Sequence, residues 1–265
     1  MKCIFCDNEN EANSVEHIVS ESFGNKNYVM QKSAVCDACN SKFSGFEQTA
    51  LGNSILVMER ARFGVQTKKG RTAKGKVNEL TFEGDKEFRE NILTVQGLSK
   101  ENFKDFNPKT QTGHLYVATF DKSDAATSKL LLKIGLESIY KSQRQIFNKY
   151  DFKNLKDYLL TNTNVEWPFT TSDFEIEKFK SVATYTDKHK LQQNHCKLNF
   201  LEVDNETLLF KFKYGAIPMT INLINRDLDW IKVILENDSN CGIFPKHYEN
   251  KIAKQKEKKI NKGSR

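Results

Sequence analysis

Two CxxC pairs, Cys3/Cys6 and Cys36/Cys39, constrain this chain more than any other feature. Each pair can turn tightly and present two sulfurs, and four thiolates suit one tetrahedral zinc ion in a closed, structural site. The stretch from Cys6 to Cys36 is longer than a simple zinc ribbon needs, so a further element must be inserted between the knuckles. The opening residues Met1-Lys2-Cys3-Ile4-Phe5-Cys6 lead straight into Asp7 and Glu9, which is not the pattern of a secretory leader. No uncharged apolar run approaches the roughly 18 residues of a membrane span, and mean hydropathy is −0.61. The expected setting is therefore cytoplasmic and reducing, where cysteines bind metal rather than pair as disulfides. Cys196 and Cys241 stand alone and are expected to be small buried residues.

The insert carries Val15-Glu16-His17-Ile18-Val19, whose β-branched residues suit a strand that aims the imidazole to one face. Phe23-Gly24-Asn25 is a turn signal, and Val29-Met30 begins a short return. After Cys39, the positions of Phe43, Phe46, Ala50 and Leu51 trace one face of a helix opening near Asn40. The insert reads as a β-hairpin or an Ω-like excursion, and the order is knuckle, strand, turn, strand, knuckle, helix.

This segment resembles the HNH endonucleases, in the branch that opens with CxxC and carries Glu-His. The resemblance rests on Cys3, Cys6, Glu16, His17, Ile18, Glu21, Phe23, Gly24, Cys36, Cys39 and Asn40, and covers roughly residues 1–55. Ser20 stands where the family often has Pro, and Asn25 where it often has a second Gly; the middle Asn of the name would fall near Gln31. The resemblance implies a ββα-metal module that hydrolyses phosphodiester bonds in DNA. That chemistry needs a base to deprotonate water and positive charge to neutralise the leaving 3′ oxygen. Histidine suits the first task, with an unperturbed pKa of about 6.5. The family implies that His17 is the general base. It implies that Glu16 and Asn40 bring oxygen ligands to a catalytic Mg²⁺ or Mn²⁺. Asn is also a good N-cap, and that simpler role is open to Asn40. Glu47 lies two helical turns beyond Asn40 and could share its face, either orienting a water or His17 or standing as a solvated acid.

The expected fold class is α+β: an HNH module over 1–65, a basic linker over 66–76, an α+β accessory domain over 77–250, and a basic tail over 251–265. Strands are expected at 77–82, 92–95 and 115–120, and helices at 123–140, 151–160 and 227–235. An antiparallel meander is expected across 198–223. Residues 1–65 hold 6 Lys and Arg against 8 Asp and Glu, a formal −2, which leaves +9 for the remainder of a chain at +7 overall. Attraction to a polyanion must therefore come mainly from the later residues. Lys68, Lys69, Arg71, Lys74 and Lys76 are the candidate phosphate contacts. The tail, with seven basic residues and one acid, is either a DNA-contacting arm or a solubilising terminus. His114, His189, His195 and His247 are scattered and read as ordinary fold or surface residues. The expected partner is DNA, with no membrane. A homodimer and an unidentified effector ligand or partner for the accessory domain are both left open. The rival readings are a zinc-stabilised nucleic-acid-binding protein that does not cut, and an HNH effector gated by a sensing C-terminal domain.

Overall fold

The computed structural model describes residues 2–9, 12–67, 69–77, 79–99, 102, 105–114, 119–161, 165–171, 178–232 and 241–250. Helix α1 (Asp37–Leu51) begins inside the second CxxC and buries Cys39, Phe43, Ala50 and Leu51 along one face. Asn53 breaks the chain direction with extended backbone, and α2 (Ser54–Arg62) begins at once. Three short antiparallel strands come next: β1 (Lys74–Val77), β2 (Leu80–Gly84) and β3 (Leu93–Gln96), in that spatial order. Their buried side chains Leu80 and Phe82 close on Val57 of α2. The strand expected at 77–82 is thus two strands, with β1 ending at Val77 and β2 beginning at Leu80. Residues 66–76, expected as a linker, form a Gln66–Thr72 bridge with Gly70 in the left-handed region, then most of β1.

Helix α3 (Asp124–Ser142) is the longest element, and Ser123 caps it by accepting from the Ala126 N–H at 3.1 Å. Leu130, Leu131, Leu132, Ile134, Leu136 and Ile139 are all buried, so α3 is apolar nearly all round, as a helix inside a core must be. Helices α4 (Arg144–Lys149), α5 (Lys153–Leu160) and α6 (Tyr185–Gln193) come after it in the chain, with the strands β4 (Phe169–Thr171) and β5 (Lys180–Ser181). The expected meander is β6 (Cys196–Glu202), β7 (Leu208–Tyr214) and β8 (Ile217–Asn222), paired antiparallel in register Phe200–Phe210–Ile221. With β9 (Gly242–Phe244) they form a six-stranded sheet in the order β5-β6-β7-β8-β4-β9. Every β8 residue is buried and β7 nearly so, which fits central strands covered on both faces. Of the expected strand at 115–120, residues 115–118 lie outside the described residues, as do the tail 251–265 and the end of the expected helix at 227–235; residues 229–232 are helical.

One apolar cluster runs from Cys3 through α1 and α3 to Phe244. Helix α3 lies between the N-terminal segment and the large sheet. At Gly135 the sheet comes so close that an added Cβ would sit 2.7 Å from Leu223 and 3.1 Å from Phe210. Phe23, in the turn of the N-terminal insert, packs edge-on against Phe212 and Tyr214 of β7. The mixed α+β class holds, and the N-terminal segment shares its core with α3 and the large sheet.

Candidate active site

The two cysteine knuckles are held together by backbone. Cys3 N–H donates to Asn8 O at 3.0 Å and Ile4 N–H to Ala34 O at 2.9 Å. Cys36 is the N-cap of α1, its sulfur accepting from the Cys39 N–H at 3.4 Å, and the Cys36 N–H points to the Cys3 sulfur at 3.4 Å. Asn40, a candidate cap, therefore sits one turn inside α1. The four sulfurs lie within 4.8 Å of one another, with Cys6 and Cys36 3.7 Å apart. Zn–S bonds of about 2.3 Å in a tetrahedron put sulfurs roughly 3.8 Å apart. A hydrogen bond from Cys39 pulls the Cys3 thiol down to about 4 against the effect of burial. Cys39 is pushed up, first by Cys3 and then by burial, and Cys6 is pushed up by burial. Cys3 is thus favoured to take the charge while Cys6 and Cys39 are favoured to hold their protons, and a divalent ion would let the thiols of such a cluster ionise together. The cluster is compatible with a structural zinc ion.

Between the knuckles, the expected hairpin is reduced to its minimum. His17 and Val29 form an isolated antiparallel bridge, flanked by Ile18 N–H to Tyr28 O at 3.2 Å and Met30 N–H to Glu16 O at 2.7 Å. The two departures from the family pattern both have structural tasks. Ser20 caps the 3-10 turn Glu21–Phe23. Asn25 is buried and staples the hairpin: its amide donates to Val19 O at 2.6 Å and Tyr28 O at 3.1 Å, while its oxygen accepts from Tyr28 N at 3.0 Å. Gly24, with φ of 85°, closes the turn in the left-handed region.

His17 stands at the end of this hairpin, its side chain 26% exposed, with Nε2 3.1 Å from Glu21 Oε1. Nδ1 is buried and lacks a hydrogen-bond partner among the described residues. The ring thus meets the Glu21 carboxylate through Nε2 and the protein interior through Nδ1. Glu16 turns the other way. It is 7% exposed and hydrogen-bonded to Lys133 of α3. The same ammonium is 2.8 Å from Glu47 Oε1, 3.3 Å from Glu137 Oε2 and 3.4 Å from His17 O. Lys133 and Glu137 are wholly buried. Burial works against the Lys133 charge, but Glu137, Glu47 and Glu16 outweigh it and raise its pKa. Burial also pushes the Glu137 carboxyl well above its ordinary range, against the pull of Lys133. Glu47 is therefore a member of a buried ion cluster and not a solvated helix acid.

Asn40 lies elsewhere in this arrangement. Its amide donates to Ser14 Oγ at 3.3 Å, and Ser14 donates to Asp37 Oδ1 at 2.7 Å. The expected meeting of Glu16 and Asn40 on one divalent ion is not what these contacts show. A divalent ion at Glu16 would sit beside the Lys133 ammonium, and like charges in a buried site repel strongly. Glu16 as placed does not fit such an ion. The residues that sequence reasoning missed are Lys133 and Glu137, which sit within the apolar pattern of α3 and give no local signal. Glu21 was visible as part of the turn pattern but not as the partner of His17.

Lys69, Arg71 and Lys74 are exposed and, with Lys86, line a groove of about 750 Å³ against Glu83 and Phe88. Lys74 is 3.0 Å from Glu83, which offsets part of that charge. Lys76 is exposed on β1 outside the groove lining, and Lys68 lies outside the described residues.

A cysteine cluster compatible with zinc, a histidine-bearing hairpin and a helix starting at the second knuckle make up the N-terminal segment. Residues 3–56 match the family described as HNH endonuclease, so that segment of the chain is an HNH module. No curated protein and no solved structure matches the chain. Among the described residues no helix is long and apolar enough to cross a membrane.

Proposed function

We propose that the protein is an endonuclease that hydrolyses phosphodiester bonds in DNA, with His17 as the base that takes the proton of the attacking water. The observation that carries this reading is the partly exposed His17 in the paired stem of a hairpin between the two cysteine knuckles, within the HNH match. The bridge to Val29 sets the backbone at His17, and Nε2 lies against the partly exposed Glu21 carboxylate. For Nε2 to accept a proton, Glu21 must swing aside or share that proton through the incoming water. The Glu21 carboxylate can then balance the imidazolium that forms. The family implies a divalent ion, Mg²⁺ or Mn²⁺, but with Glu16 on Lys133 no step is assigned to it. The basic groove at Lys69, Arg71, Lys74 and Lys86 supports capture of a phosphate backbone.

A second reading has its own support. Glu16 held by Lys133 and Nε2 beside Glu21 are also what a zinc-stabilised nucleic-acid-binding protein without cleavage would show. Supercoiled plasmid incubated with the purified chain, with no added ion, with Mg²⁺ and with Mn²⁺, separates the two. The parent should nick or linearise the plasmid, and His17→Ala should lose about 10²–10⁴-fold in rate while binding DNA as before. A parent that binds but cuts under none of these conditions replaces the first reading with the second.

A further inference from the structure

Helix α3 reaches both partners of the bridge that carries His17. Lys133 Nζ donates to His17 O at 3.4 Å, and Lys141 Nζ donates to Val29 O at 2.9 Å. A third contact joins Tyr28 OH and Ser142 Oγ at 3.0 Å. An isolated two-stranded hairpin is marginal in water, and among the described residues two cross-strand backbone hydrogen bonds flank the His17–Val29 pair. The direction of the imidazole therefore depends on what grips the hairpin from outside.

An ammonium has three protons. Four groups compete for those of Lys133: Glu16, Glu47, Glu137 and His17 O. Glu137 is left shortest, with neither carboxyl oxygen in a hydrogen bond of good geometry among the described residues, and Glu47 Oε1 also lacks one. Stability alone does not explain such a cluster. Buried ion clusters are often no more stabilising than apolar residues of the same volume, and their better use is to fix one arrangement among several. This cluster draws on three elements: the hairpin through Glu16 and His17, α1 through Glu47, and α3 through Lys133 and Glu137.

Resting on the nuclease reading, we propose that Lys133 is a positioning residue for His17, tying the Glu16 carboxylate and the His17 carbonyl to α1 and α3 so that the imidazole is aimed from outside the HNH segment. Lys141 is the lesser grip on the other side of the bridge. The catalytic group lies in the first part of the chain and its support in the second. The HNH segment alone is then an incomplete nuclease.

The test uses the full chain with isotope-labelled histidine, whose ring signals report on His17 whether or not the protein cuts. The other four histidines serve as internal controls. Lys133→Met alone strands the wholly buried Glu137 without its ammonium, whereas Glu16 and Glu47 keep an edge to solvent, and so endangers the fold. The first variant is therefore Lys133→Met with Glu137→Met, an apolar pair of similar volume. The second is Glu47→Gln, since Glu47 is joined to the hairpin through Lys133 and its side chain is half-buried, so the fold should tolerate the change. In both, the His17 signals should move or broaden while the other four stay in place. Zinc content and melting temperature should remain close to the parent. On plasmid, the rate at saturating DNA should fall roughly 10²-fold, the lower end of what a displaced general base costs, with half-saturating DNA unchanged. His17 signals that superpose on the parent's in a folded variant overturn the proposal. Should the double variant not fold, Glu47→Gln decides alone. A parent that cuts nothing overturns the nuclease reading, and the His17 signals still decide whether Lys133 sets the ring.

Discussion

At the residue scale, the cysteines and Asn25 show how a short segment with little sheet of its own keeps a shape. The hairpin has one bridge among the described residues, so its ends and its turn help to set its geometry alongside the grip of α3. The sulfur cluster fixes the ends, and Asn25 fixes the turn through its amide. A closed thiolate site contributes folding free energy directly. Native-purified protein should therefore hold about one zinc per chain, and Cys36→Ser should bring that close to none. Cys36 is also the cap of α1, so the substitution should expose the first turn of that helix as well. Metal analysis with amide exchange over residues 37–43 checks both. Full zinc retention in the variant would remove Cys36 from the ligand set. Ser is a good N-cap, so loss of zinc with α1 intact would separate the two roles.

At the scale of elements, α3 is the member on which the others close. One side meets the sheet at Gly135, and the other meets the HNH segment through Lys133 and Lys141. Gly135→Val should force Leu223 and Phe210 aside and cost about 1–3 kcal/mol by overpacking, read by urea denaturation. An unchanged or higher midpoint would mean that the sheet yields at that point. The helix itself was legible in the sequence, since Ser123 as cap and the run from Leu130 to Ile139 give both its start and its burial. The meander was legible from its alternating apolar runs. The knuckles and the His17 hairpin were legible because fixed spacing and residue type carry that information locally. Lys133 was not. A lysine in an apolar helix looks like a snorkelling side chain until the acids it meets, more than 80 positions earlier in the chain, are brought beside it. Glycine and charge mark linkers and tight turns alike, so the turn closed by Thr67 N–H and Arg71 O leaves no signal of its own. Strands of two and three residues, such as β5 and β4, owe their existence to neighbours and leave no pattern of their own.

For the whole molecule, two properties arise from how charge and phenols are distributed. Tyr28, Tyr158 and Tyr214 are buried, and burial raises the pKa of each, that of Tyr158 to about 12. The unfolded chain loses these protons first, near pH 10, so it binds fewer protons than the folded chain above that pH. Stability should be flat with respect to these groups below pH 10 and fall as pH rises from 10 toward 12. Tyr158→Phe should soften that fall, as followed by thermal unfolding across the window. The second property concerns polyanions. The formal charge is −2 for residues 1–65 and +9 for the rest, so DNA affinity should drop steeply with salt. Neutralising Lys69, Arg71, Lys74 and Lys76 together should lower both affinity and salt slope, with little change in the rate at saturating DNA. An unchanged salt slope would leave the groove without a role in capture.

The order in which the chain is made gives α3 another consequence. A ribosome that has delivered residue 65 has produced every cysteine of the cluster, and also Glu16, His17 and Glu47. Lys133 and Lys141 are still to come. At about 5–20 residues per second, the interval is on the order of ten seconds. During that time the acids of the hairpin and of α1 are hydrated carboxylates on an unfinished nascent chain. Their burial waits for α3 to leave the exit tunnel.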